Sequence, residues 1–346
     1  MIQTNSNEYI TDTDTYIVLD LEWNQNPDGR ENAIEGFPFE IIEIGAVKLD
    51  HKLNLIDEFS CIIKPVVYKK LHSKVYEITN KSIQELRSKG KPFQEAFTKF
   101  IDWCSTDKHG AKTVSEYTLC TWGDMDLTEL QKNIKYHNMD FKFKFPLLFY
   151  DIQKLYYRLY CKGTTDRPPL ERAVYELQIK STLPFHRALD DARYTVKVMQ
   201  AMDFNCVKEY ISIDYFNVPT CKEDEVYMIF PDYSKYVSRT FISKEEAMTD
   251  KTVTDIVCSK CRRMLPKRIK WFSSNQRHYY CLASCPEHGY VKGKIRIKPS
   301  LDGQYFVIKT IKPIDKAGVE DIRRRKEELR KKRAKHHAAQ LTSQNK

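Results

Sequence analysis

The run Tyr16–Glu22 (YIVLDLE) constrains this chain more than any other segment. Its β-branched and apolar residues predict a strand. Side chains alternate along a strand, so Asp20 and Glu22 share one face at its end. Two carboxylates held side by side repel each other unless a cation lies between them, and Mg²⁺ or Mn²⁺, which take oxygen ligands, are the natural partners. Further strands are expected over Ile41–Leu49, Glu58–Ile63 and Tyr117–Trp122, with a loop over Asn24–Phe39. Helices are expected over Thr79–Arg87, Pro92–Trp103, Leu127–Tyr136, Asp151–Tyr160, Leu170–Leu177 and Arg187–Met202. The alternating stretch Phe141–Phe145 (FKFKF) reads as a half-buried edge strand. Strands first, then strands interleaved with helices, predict an α/β layer domain ending near residue 210.

The chain has 346 residues, 41% hydrophobic and 30% charged, which excludes a disordered or fibrous class. No apolar run approaches the roughly 18 residues that cross a bilayer, so no membrane partner is expected. The first fourteen residues are polar and carry no secretory pattern, and the cytoplasm is the expected compartment. The net charge of +10 is unevenly spread. Residues 251–346 hold 25 Lys and Arg against 8 Asp and Glu, whereas the first 250 hold 32 against 39. A basic end on an acidic body suits a polyanionic partner.

Four of the ten cysteines fall between Cys258 and Cys285. Cys258-x-x-Cys261 and Cys285-x-x-His288 are spaced for a tetrahedral zinc site, with Cys281 as a rival fourth ligand. The segment Cys285–Gly289 (CPEHG) resembles the second knuckle of zinc ribbons, with His in place of the last Cys, and implies one structural Zn²⁺. Beyond it, Tyr290–Ile311 alternates and turns at Asp302-Gly303, a hairpin signal. Lys292, Lys294, Arg296 and Lys298 share one face of that ribbon, and Lys294 and Arg296 are expected to clamp nucleic acid. Glu320–Ala339 reads as a charged helix.

Two more acidic segments complete the pattern. Thr121–Asp126 (TWGDMD) follows a strand and opens a helix, and His186–Ala192 (HRALDDA) opens another. On one ideal helix His186 and Asp191 would point about 140° apart, so they converge only if His186 lies on the loop ahead of it, where Pro184 favours extended backbone. The ordered set DLE, EIIEIGAV, TWGDMD and HRALDDA resembles the motifs of DEDDh 3′–5′ exonucleases of the ribonuclease H-like superfamily. The nearest branch holds bacterial KapD-like proteins and enzymes that trim small RNAs and histone-mRNA ends.

The resemblance implies a ribonuclease H-like mixed sheet flanked by helices over residues 12–210. Asp20, Glu22, Asp126 and Asp191 would hold two Mg²⁺ or Mn²⁺, and His186 would be the base. It implies 3′-end release of nucleotides from a single strand, RNA by its nearest branch. DNA proofreading or repair, or a non-catalytic nucleic-acid or ribosome-binding adaptor, are the alternatives. Leu21 and Trp23 are expected substrate contacts, with a terminal base stacking on Trp23. Phe37 and Phe39 read as packing, and Glu43 either supports the site or faces water. The remaining divisions are expected at 211–250 (linker or cover), 251–313 (zinc-ribbon β domain) and 314–346 (basic helical tail).

Overall fold

A computed structural model describes residues 2–5, 15–79, 81–106, 117–161, 166–275 and 277–344. The chain forms two units, Ile10–Tyr215 and a second made of Met1–Tyr9 with Phe216–Lys346. The first strand, β1 (Ile2–Asn5), therefore belongs to the second unit.

In the unit 10–215 the apolar run seen in the sequence becomes β2 (Thr15–Gln25), a central strand. It pairs antiparallel with β3 (Phe39–Asp50), which pairs antiparallel with β4 (Leu55–Ile62). On its other side run β5 (Tyr117–Thr121) and β6 (Leu148–Asp151) in parallel, then β7 (Ser212–Ile213) antiparallel to β6. The result is a mixed sheet in the order β4-β3-β2-β5-β6-β7. The helices are α1 (Ser73–Thr79), α2 (Ile83–Lys89), α3 (Phe93–Cys104), α4 (Met125–Tyr136), α5 (Ile152–Tyr160), α6 (Leu170–Glu176) and α7 (Ala188–Ala201).

Alternation decides what each side of β2 meets. Ile17, Leu19 and Leu21 join a core with Phe93, Ala96, Phe97 and Phe100, the helical stripe of α3, and with Leu127 and Leu130 of α4. Asp20 and Glu22 point the other way, to the side where α7 lies across β2 and β3. Gly45 allows that crossing. A Cβ there would stand 2.1 Å from the Leu189 nitrogen and 2.2 Å from the Ala188 carbonyl carbon, so the first turn of α7 rests on bare backbone.

Three local expectations differ from what forms. The helix expected over Thr79–Arg87 is two helices, because the Ser82 hydroxyl accepts the Glu85 N–H (3.1 Å) and starts α2 afresh. Phe141–Phe145 is loop, and its alternation reflects Phe141 and Phe143 packing onto the core, edge to face with Phe97 and with each other at 5.0 Å. Leu148–Asp151 is a strand that its four residues were too few to signal.

The second unit is a seven-stranded sheet in the order β1-β8-β9-β13-β12-β11-β10. Its strands are β8 (Val226–Ile229), β9 (Ser234–Val237), β10 (Lys267–Ser273), β11 (His278–Cys285), β12 (Gly289–Pro299) and β13 (Tyr305–Pro313). The Asp302-Gly303 hairpin connects β12 to β13, with Gly303 at φ 80°. Residues 211–250 are neither linker nor cover. They supply β7 to the first sheet, β8 and β9 to the second, and α8 (Lys244–Thr249). With α9 (Lys251–Thr254), they place Ala247 and Val253 against Ile295, Ile297 and Val307. The ribbon strands are thus part of a larger sheet. The basic helix α10 (Lys316–Gln344) starts earlier than expected, and Val319 and Ile322 anchor it on Tyr280 and Leu282. Among the described residues no helix is long and apolar enough to cross a membrane.

Gly45→Ala tests the packing of α7. The added methyl has no room, so an overpacking loss of about 2–3 kcal/mol is expected in urea denaturation, as the first turn of α7 moves.

Candidate functional site

In the β2–β3 pair Asp20 lies opposite Gly45 and Glu22 opposite Glu43, and a bulge follows Glu22. The bulge is stitched from outside the sheet: Asn133 of α4 accepts the Ile41 N–H (3.1 Å) and donates to the Phe39 carbonyl (3.0 Å). Asp126 stands in the first turn of α4, after Gly123 at φ 101°, and its carboxylate accepts the backbone N–H of Leu21. Asp191 stands in the first turn of α7, over Gly45.

His186 lies ahead of α7 in the left-handed region (φ 64°), a conformation rare for residues other than glycine. Its backbone N–H donates to Asp191 Oδ2 (2.9 Å), which fixes the turn to the helix. The imidazole is about half exposed, with Nε2 3.5 Å from Glu171 Oε1. Ligand atoms of Glu22, His186 and Asp191 lie within 4.8 Å of one another.

The electrostatics show how tightly the acids are held. Burial raises the Asp20 carboxyl well above the usual range, and the charges of Asp126, Glu22, Asp191 and Glu43 push it further. Burial, then Asp191, Glu43 and Asp126, raise Glu22 to about 8. Asp126 and Asp191 reach about 7, mainly by burial, which outweighs the N–H groups donated to each. Asp191 Oδ1 is buried without a hydrogen-bond partner. Carboxylates arranged in this way suit a multivalent cation, and burial without one leaves them inclined to hold protons.

The neighbouring acids are placed differently. Asp124 is exposed, and Asp190 turns to Arg193, which also grips Glu58 of β4 (2.6 and 2.9 Å). Leu21 is buried, with only its N–H reaching the site through Asp126. Trp23 is half-buried and tilted against Phe39 at 5.6 Å. Phe37 is packing, stacked on Tyr136 at 4.0 Å. Glu43 is buried in an ion pair with Lys81, which the sequence reading missed. Lys81 is the one positive charge among the main influences on Glu22. Glu171 was also missed, and neither residue carries a local sequence signal.

In the second unit Cys258, Cys261, Cys285 and His288 have ligand atoms within 4.8 Å of one another. The separations are 3.6 Å (Cys258 Sγ to His288 Nδ1), 3.6 Å (Cys261 Sγ to Cys285 Sγ) and 3.5 Å (Cys285 Sγ to His288 Nδ1). A tetrahedron with zinc–sulfur bonds of about 2.3 Å has edges of about 3.8 Å, so three sulfurs and a nitrogen at these spacings fit such an ion. Burial raises the Cys285 thiol, but His288 and the backbone N–H groups of Glu287 and His288 bring it down to about 6, into the thiolate range. Cys281 lies four residues upstream on β11, about 13 Å along the strand. It packs beside Gly293, and burial pushes its thiol up to about 12.

Comparison with known proteins gives the context for this geometry. Residues 17–199 match the exonuclease (RNase T) family. The chain belongs to the exonuclease family. It is an enzyme, a 3′–5′ exonuclease. It is similar to the probable 3′–5′ exonuclease KapD of Bacillus subtilis (strain 168), 28% identical over 203 residues, which span 58% of this chain and 88% of that protein. Among solved structures, the nuclease domain of 3′hExo, a DEDDh family member bound to rAMP, is 21% identical, with 59% of this chain and 97% of that one covered and a TM-score of 0.48. Cell-death related nuclease 4 (CRN-4) is 16% identical, with 61% and 69% covered and a TM-score of 0.47.

Lys81→Met would leave Glu43 buried and unpaired, and a loss of about 3–5 kcal/mol is expected in urea denaturation. Lys81→Met with Glu43→Leu should recover most of it, since the uncompensated charge is then gone.

Proposed function

We propose that this exonuclease removes nucleotides from the 3′ end of single-stranded RNA by metal-dependent hydrolysis, with Asp20, Glu22, Asp126, Asp191 and His186 as the working residues. The observation that carries the reading is the buried acid cluster: Asp20 is pushed up by three other acids of the set, and Asp191 Oδ1 is left without a partner. The four carboxylates would hold two divalent ions, Mg²⁺ or Mn²⁺, which would supply positive charge at the scissile phosphate and make water a better nucleophile there.

The chain's own groups supply positioning and proton transfer. His186 takes the proton of the attacking water. The N–H bond from His186 to Asp191 ties that base to the metal-holding helix, and Glu171 stands where it can steady the protonated ring. Water attacks phosphorus, the bond to the leaving 3′ oxygen breaks, and a nucleotide departs. The half-buried Trp23 lies one residue beyond Glu22 and offers a face to a terminal base. RNA is the proposed strand because the TWGDMD form resembles that of a branch which includes enzymes that trim small RNAs and histone-mRNA ends. In the second unit, Cys258, Cys261, Cys285 and His288 would hold one structural Zn²⁺ that pins the loop before β10 to the β11–β12 turn.

The assay is release from 5′-labelled RNA and DNA strands of one sequence, with Mg²⁺, Mn²⁺ or EDTA. Loss in EDTA and faster shortening of RNA are expected; faster shortening of DNA would reassign the substrate. His186→Ala should cost about 10²–10⁴-fold in turnover with an unchanged thermal melt, and a well-folded variant of full activity would remove its role. The pH dependence has a defined sign. The raised acids keep protons in the folded state that the unfolded chain loses above about pH 4, so metal-free stability is greatest in acid and falls as pH rises through about 7 to 8. Melting in EDTA should therefore drop across that window, and excess Mg²⁺ should raise the melting temperature more at pH 8 than at pH 5.

A further inference from the structure

The second unit carries charge for which the hydrolysis has no use. Pairing of β11 with β12 sets His278 opposite Arg296, Tyr280 opposite Lys294 and Leu282 opposite Lys292, all on one face. Lys294 and Arg296 are exposed, and none of the ion pairs among the described residues of this unit involves them. Burial, then Arg296 and Arg325, hold the Lys294 ammonium below its usual range. Burial, Lys294, Arg296 and Arg277 do the same to His278. Cations crowded together without counter-acids are costly to keep, and an anion relieves the cost.

Aromatic rings are set among these charges. The Tyr280 ring centre has Lys292 Nζ at 5.2 Å and the Arg325 guanidinium at 5.4 Å. Phe272, with its ring centre 6.2 Å from that of Tyr280, is half-buried and lines a cleft of about 320 Å³ between β10 and α10. Arg324, Arg325 and Lys332 line that cleft, with Glu328 as its acid. Asp321 accepts hydrogen bonds from both Arg324 and Arg325 (2.7 Å each) and so fixes their direction. Val319 and Ile322 seat the helix that brings them.

We propose that the β11–β12 face and the adjoining groove under α10 bind single-stranded nucleic acid apart from the catalytic acids, with Lys294, Arg296 and Arg325 on the phosphates and Phe272 as the platform for a base. Every base has a stacking face, and every phosphate takes a cation, so such a surface holds a strand without reading its sequence. An acidic protein would have no need of an aromatic platform. An anionic bilayer would want apolar groups on the crest of the helix, where this helix presents Arg and Lys. The inference rests on the exonuclease reading only in that the chain already acts on a polyanion.

The test is fluorescence anisotropy of a labelled single strand, as RNA and as DNA, with the full chain in buffer free of Mg²⁺ and Mn²⁺ but without a chelator, so that the strand stays uncut, the Zn²⁺ proposed for this unit is retained, and a failed hydrolysis assay leaves this result intact. Lys294→Glu with Arg296→Glu should weaken binding tenfold or more, and Phe272→Leu about fivefold or more through lost stacking. Lys294→Gln with Arg296→Gln, which serves if the reversal disturbs the fold, should flatten the slope of log affinity against log salt by about 1.4. The control pair Lys52→Glu with Lys89→Glu makes the same change in net charge in the exonuclease unit and should leave affinity near that of the parent. Unchanged affinity and slope in the β12 variants would overturn the proposal, as would equal weakening by the control pair, which would reduce the effect to overall charge.

Discussion

Mutual repulsion of carboxylates is the constraint around which the exonuclease unit is arranged. Asp20 and Glu22 come from one strand, Asp126 from the start of one helix and Asp191 from the start of another. Each is largely withdrawn from water and sees the others' charge. Holding them together requires rigid supports, and the supports are specific. Gly45 lets α7 lie against backbone, Asn133 ties α4 to the bulged edge of β3, and the Glu43–Lys81 pair brings a cation beside the acids. Both helix starts also direct the positive end of a peptide dipole at the cluster, which favours negative charge at those positions.

Much of this was legible because it is periodic. The i, i+2 placement of Asp20 and Glu22, the stripe along α3 and the Asp302-Gly303 turn each follow from local geometry. The position of His186 also followed, since a helix with both His186 and Asp191 on it would part them. What escaped the sequence is non-local. Lys81 meets Glu43 across 38 positions and Asn133 meets Ile41 across 92; neither leaves a period. β8 and β9 were hidden because each has four residues; they pair with each other locally, and their outer neighbours, β1 and β13, lie far along the chain. FKFKF misled in the opposite sense, since aromatic rings reaching a core from a loop can imitate strand alternation.

The cysteine segment separates spacing from topology. Pairs two apart pointed to a knuckle, but they did not distinguish His288 from Cys281. On β11, Cys281 and Cys285 lie on the same face but four residues apart. One of them ends the strand at the turn and the other stays inside the sheet. The same sheet thus uses one face for an apolar core and gives the other to cations and a helix seated by Val319 and Ile322.

The position of β1 has a consequence for how the molecule is made. Six strands of the second sheet follow residue 216 and one precedes residue 10, so Ile2 pairs with Val226 across the whole exonuclease unit. That is a long loop to close, and it cannot close until the ribosome has delivered the partner strand. Until then β1 carries unpaired N–H and C=O groups of the kind that capture strands from other chains. The nuclease is thus an insertion within the sequence of its neighbour, and the exit order from the ribosome decides which edge waits.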